Sequence, residues 1–155
     1  MRIAVGSDHR GVDLRSKLAE LVSRLGHEVL DVGTDETSDV DYPDIAEQVA
    51  QKVADQEVDR GILICGTGLG VCIVANKIPG VRAAPCHDEL TAELSRRHND
   101  LNVLCLSGNV LREKMADRLV ETWLNTEFEG GRHARRLDKI AAIEGRNGKA
   151  ESVSD

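Results

Sequence analysis

Two short segments combine residue types that do chemistry with glycines able to bend the chain around them: Gly6-Ser7-Asp8-His9-Arg10-Gly11 and Cys65-Gly66-Thr67-Gly68-Leu69-Gly70. In the second, three alternating glycines permit a tight turn and gather backbone N–H groups that receive negative charge. It is not a P-loop, because no Gly-Lys-Ser/Thr follows at the required spacing. Nor is it the dinucleotide G-x-G-x-x-G, because position 71 is valine. Cys65 stands against this turn. As a small hydrophobe it would simply be buried; beside the positive end of a helix its thiolate is favoured, and it can serve as a base. Cys72, Cys86 and Cys105 lack that setting and are expected in the core.

His98 continues Leu90 and Leu94 at helical spacing. It is expected to face inward at a helix C-terminus, which favours the imidazolium a general acid needs. A histidine satisfied structurally is the simpler alternative. Arg132 and Arg136 share one helical face at i,i+4. They form either a solvated basic surface or a phosphate clamp, since guanidinium forks match phosphate oxygens.

These residues need a scaffold, and short β-branched runs alternating with helical patterns supply one: a three-layer α/β/α, Rossmann-like fold on a five-stranded parallel sheet. Strands are expected over residues 2–6, 27–32, 61–65, 81–84 and 103–107. The intervening helices carry the stripes Leu14-Leu18-Leu21-Leu25, Ile45-Val49-Val53, Leu90-Leu94 and Met115-Leu119-Trp123. Gly26 and Gly130-Gly131 are expected to stop helices, Pro43 to open one and Asp88 to cap one. A polar loop with Gly33, Asp35, Asp39 and Asp41 joins the second strand to its helix. The last helix starts near Arg132 and is expected to end before Gly145. Residues 1–145 then form a single domain, with a frayed tail over 146–155.

Open parallel sheets bind ligands beyond the carboxyl ends of their strands. Asp8, His9, Cys65 and Thr67 belong to that edge. His98 ends a descending helix, so it belongs to the opposite edge, as does the segment leading to Arg132. A helix of about ten residues spans roughly 15 Å, too far for one small-molecule site. A two-fold homodimer pairing the top of each subunit with the bottom of its partner reunites them.

Composition narrows the partners. The chain has 155 residues, 41% hydrophobic and 30% charged, with 27 acidic against 20 basic residues and a net charge of -7. That balance argues against nucleic acid, and Tyr42, Trp123 and Phe128 are too few aromatics for base stacking. No apolar run approaches the roughly 20 residues of a membrane helix, and residues 1–3 lead straight into a strand pattern with no signal peptide expected. Four cysteines without metal-type spacing suggest reduced thiols in the cytoplasm.

The segments GSDHRG, DYPDIA, ILICGTGLGVCIVANKIPGVRAA, LSRRHNDLNVL and EFEGGRHARRLDKI together resemble ribose-5-phosphate isomerase type B, the family that includes galactose- and allose-phosphate isomerases. The likeness runs from about residue 2 to 146. It implies an aldose–ketose isomerase of the pentose phosphate pathway, acting on ribose 5-phosphate without metal or organic cofactor and assembling as a dimer or tetramer with shared sites. Allose, galactose and tetrose phosphates are alternative substrates. By the same resemblance, Cys65 removes the C2 proton, Thr67 assists proton movement between oxygens, and His98 opens the furanose ring near Asp8. His9, Arg132 and Arg136 hold the phosphate. Tyr42 and Asn99 also match site positions, Asn109 stands at another, and the backbone N–H groups of the turn Gly66, Gly68, Leu69 and Gly70 are the expected donors to the enediolate oxygen. Some relatives place a glutamate base where Val71 stands, so here the base falls to Cys65. Relatives often carry arginine in place of Asn109, a loss for which Arg112 is the expected compensation. A non-catalytic phosphosugar-binding protein is the competing class.

Overall fold

The computed structural model describes residues 1–34 and 39–150. Asp35 of the expected polar loop and residues 151–155 of the expected tail lie outside the described residues. Five strands, β1 (Arg2–Ser7), β2 (Glu28–Asp31), β3 (Arg60–Cys65), β4 (Ala83–Pro85) and β5 (Val103–Ser107), alternate with helices. Those are α1 (Val12–Arg24), α2 (Tyr42–Ala54), α3 (Leu69–Ala75), α4 (Glu89–Asn99), α5 (Glu113–Asn125) and α6 (Arg132–Ala150). The sheet order is β2-β1-β3-β5-β4 and every pair is parallel.

Period-two alternation divides the strand side chains between two cores. Ile3, Val5, Ile62, Ile64, Leu104 and Leu106 pack with α1, α4 and α5 around the fully buried Trp123. Ala4, Leu63, Cys65, Val103 and Cys105 face α2 and α3. With both faces covered, β3 and β5 are buried almost throughout, as their unbroken apolar runs require. The chain leaves β1 toward β2 and returns on its other side as β3, so the topological switch lies between β1 and β3. Ser7 pairs with Ile64 in register, which sets Asp8 beside Cys65 at the carboxyl edge.

The helix punctuation follows local rules. Gly26, with positive φ, follows the end of α1 as expected. By contrast, α5 ends at Asn125 with an extended Thr126, ahead of Gly130 and Gly131, whose positive φ belongs to the turn before α6. Pro43 lies in the first turn of α2, and Asp88 caps α4 by accepting the Thr91 N–H at 2.7 Å. Three further expectations are corrected. The fourth strand sits at 83–85 rather than 81–84, because Val81 closes a turn onto the Ile78 carbonyl. The last helix passes through Gly145 and Gly148 to Ala150; glycine in a helix costs about 1 kcal/mol relative to alanine but does not forbid it. In α4 the buried face is Ala92, Ser95 and Arg96, while Leu90 is 62% exposed. Arg96 sets that helical phase by donating to the Leu101 carbonyl at 2.6 Å and pairing with Asp100 at 2.8 Å. His98 is accordingly half-buried at the helix end.

Candidate active site

Beyond the carboxyl ends of β1 and β3 lies a cavity of about 410 Å³ lined by Asp8, His9, Arg10, Val40, Asp41, Tyr42, Cys65, Gly66, Thr67 and Gly70. The turn after β3 shapes its floor. Gly68 holds φ at 77°, a left-handed conformation that allows its N–H to donate to Cys65 Sγ at 3.2 Å. Leu69 N–H donates to Thr67 Oγ1 at 3.3 Å. Two of the turn's N–H groups are therefore engaged by its own side chains. Cys65 itself is 5% exposed, and Val71 is buried in the core.

Neighbouring loops hold the turn in place. After β5, Gly108 N–H donates to the Cys65 carbonyl at 2.8 Å and Asn109 N–H to the Gly66 carbonyl at 3.2 Å. The Ser107 hydroxyl donates to the same Gly66 carbonyl at 2.7 Å. Tyr42 closes the opposite side: a side-chain carbon on Gly70 would come within 2.7 Å of its ring. Asp8 is buried, and its Oδ1 accepts the Arg10 N–H at 3.0 Å. His9 faces Asp39 at 3.8 Å.

The remaining expected site residues are elsewhere. His98 and Asn99 close α4, just before β5 begins, and Arg132 and Arg136 begin α6. None of them lines the cavity at Cys65. Asn99 instead borders a cavity of about 520 Å³ with Leu137 and Ile140. The His98 ring stacks on the buried His133, with centroids 4.3 Å apart. Glu129 lies 3.4 Å from His133 and is gripped by Arg97. Ligand atoms of His98, Glu129 and His133 lie within 4.8 Å of one another, close enough for a metal. The Arg97 hydrogen bond keeps the Glu129 carboxyl below its usual range, so the carboxylate is already paired with a guanidinium.

Burial, then the charges of His98 and Arg132, push His133 below the ordinary histidine value of 6.5. The folded state thus prefers His133 neutral. Its contribution to stability is present above pH 6.5 and is lost as pH falls through the lower folded value. Thermal melts of the wild type are expected to drop over that window more steeply than melts of His133→Asn; parallel curves would contradict this.

Cys86 and Cys105 are buried as expected, but Cys72 is only half-buried. Hydrogen bonding to Cys105, with help from Asn76, draws the Cys72 thiol down to about 7. Its Sγ points to the Ala83 carbonyl at 3.5 Å, away from the cavity at Cys65. Arg112 caps the start of α5 and does not reach that cavity. Arg10 does, although its sequence position drew no assignment; a permanent cation directly after Asp8-His9 at a strand end was the available signal. A cavity of about 660 Å³ lies at the opposite edge. Its arginines are committed: Arg82 and Arg96 to Asp100, and Arg60 to the Trp123 and Leu124 carbonyls.

Comparison with known proteins places this geometry. A family model described as Ribose/Galactose Isomerase matches residues 3–140. The chain is 49% identical over 146 residues to ribose-5-phosphate isomerase B of Escherichia coli, covering 94% of this chain and 97% of that one. It is 39% identical over 145 residues to D-erythrulose-4-phosphate isomerase of Pectobacterium atrosepticum, covering 93% and 95%. The solved structure of Clostridium thermocellum ribose-5-phosphate isomerase B superposes with a TM-score of 0.93 at 49% identity, covering 95% and 99%.

Proposed function

The chain belongs to the Ribose/Galactose Isomerase family, and on that premise we propose that it interconverts ribose 5-phosphate and ribulose 5-phosphate through an enediolate. The observation that carries this reading is Cys65 Sγ accepting the Gly68 N–H inside a cavity that also holds Asp8, His9, Thr67 and Tyr42. In the proposed reaction the Cys65 thiolate takes the C2 proton of the open-chain aldose. The electron pair forms the C1–C2 double bond and leaves O1 as an oxyanion. Thr67 carries a proton from O2 to O1. The Cys65 thiol then returns its proton to C1 while the C2 carbonyl forms, which regenerates the thiolate. An enolisable C–H needs a base matched to the working pH, and fixed dipoles around the oxyanion lower the barrier.

Ring opening is assigned to His98, with Arg132 and Arg136 on the phosphate, all supplied by a partner subunit. Two observations support that arrangement. These three residues lie away from the cavity at Cys65, and apolar side chains stand exposed on both regions: Leu69 and Ile73 on α3, Ile140 and Ile143 on α6. No described helix is long and apolar enough to cross a membrane. The four free thiols support a reducing, cytoplasmic setting.

A panel of four-, five- and six-carbon phosphosugars tests the reading. Ribose 5-phosphate is expected to give the highest kcat/KM. Preference for a four-carbon substrate would instead support the second reading, a tetrose-phosphate isomerase, which the likeness to the Pectobacterium enzyme favours. Tight binding without turnover of any sugar would overturn both in favour of a binding protein.

A further inference from the structure

We infer that Arg10 anchors the anionic end of the substrate, from the carboxyl end of β1. The inference rests on the phosphosugar reading above and adds a contact to that site. Its first support is the charge inventory of the cavity. The lining carries two carboxylates, Asp8 and Asp41, one imidazole, His9, and a single permanent cation, Arg10. A phosphosugar brings about two negative charges at neutral pH. Within one subunit's lining Arg10 alone offsets those carboxylates, and it would add to the charge that Arg132 and Arg136 of the partner subunit are proposed to bring.

The second support is position. A side-chain carbon added to Gly66 would lie 3.3 Å from both Cδ and Nη1 of Arg10, and 3.1 Å from Nδ2 of Asn109. The guanidinium therefore lies over the glycine that follows Cys65, next to the Asn109 amide. Its backbone is anchored on one side and closely approached on the other. Arg10 N–H donates to Asp8 Oδ1 at 3.0 Å, and its carbonyl would sit 2.9 Å from a carbon on Gly108. Fixed backbone and a long, exposed side chain suit a group that must reach a ligand. Among the described residues no ion pair occupies this guanidinium, so its fork is available for bidentate recognition of phosphate oxygens.

Asn109 supplies the decisive control. Its side chain approaches the same face of Gly66 from another loop, so an arginine at 109 delivers a guanidinium to the same space. Arg10→Ala is expected to raise KM for ribose 5-phosphate by about 10- to 100-fold, the range of one lost charge-assisted contact, with kcat changed less than about threefold. Calorimetry with inorganic phosphate, which needs no turnover, is expected to show a parallel loss of affinity. Adding Asn109→Arg to Arg10→Ala is expected to restore most of both. Unchanged KM and phosphate affinity in Arg10→Ala would overturn the inference. So would a fall in kcat at constant KM, which would move the guanidinium to the reacting carbons. A wild type inactive on every phosphosugar, yet losing phosphate affinity with Arg10→Ala, would sink the isomerase reading and leave the anion contact standing. Arg10 is exposed, so matching melting curves establish that the variant is folded.

Discussion

Cys65→Ser is expected to cut kcat for ribose 5-phosphate by about 10²–10⁴-fold, the span of a lost general base, with KM changed little. Serine retains the geometry, since its oxygen can accept the Gly68 N–H that Cys65 Sγ now accepts at 3.2 Å. What it lacks is an accessible anion: an unassisted hydroxyl does not ionise near neutral pH, whereas even a free thiol is about a few per cent thiolate there. Steady-state kinetics and a C2-deuterated substrate separate the steps. A large isotope effect in the variant would show that proton abstraction has become limiting. A near-normal rate would move the base to another group, and Asp8, buried in the same cavity, would be the first to replace in turn.

The second large effect concerns assembly. Cys65→Ala and His98→Asn are each expected to be nearly inactive, yet a mixture of the two is expected to recover about a quarter of wild-type activity after subunits exchange. The arithmetic follows from two-fold symmetry. With equal mixing about half the dimers are hybrids. In each hybrid one site pairs the damaged Cys65 end with the damaged His98 end, and the other pairs two intact ends. The structure supports the premise by keeping His98 stacked on His133 near the start of α6, with Cys65 in a separate cavity beyond β3. Mass spectrometry of differently labelled subunits verifies exchange. Confirmed hybrids without recovered activity would show that each subunit carries a complete site.

Much of the scaffold was legible from local pattern. The strand over Val103–Ser107, the Asp88 cap and the Gly26 stop after α1 depend on a few consecutive residues, and nothing distant competed with them. The reading faltered where a longer-range contact won. Leu90 and Leu94 form a stripe as regular as any in the chain, yet Arg96 turns α4 by binding Leu101 and Asp100 and leaves Leu90 in solvent. Cys72 reads as core in its own apolar segment. Its proximity to Cys105 on β5 is a tertiary fact, and so is the pull on its thiol.

The candidate site divides along the same line. Asp8, His9, Cys65 and Thr67 could be named from sequence because a parallel sheet sends every strand's carboxyl end to one edge, whatever the strand order. The separation of His98 from them followed equally from connectivity alone. Strand order itself could not be read in this way. Placing β1 directly beside β3 required knowing which buried faces fit, and that adjacency brings Asp8 level with Cys65. Only the folded chain, likewise, lays Arg10 and Asn109 over the same glycine. They are separated by most of the sequence, and periodicity carries no information across such a span. Composition and spacing thus determined the kind of sheet and which residues its edges would carry. Packing between distant segments decided which of those residues meet, because that depends on side-chain volumes and hydrogen-bond partners that come together only when the layers close.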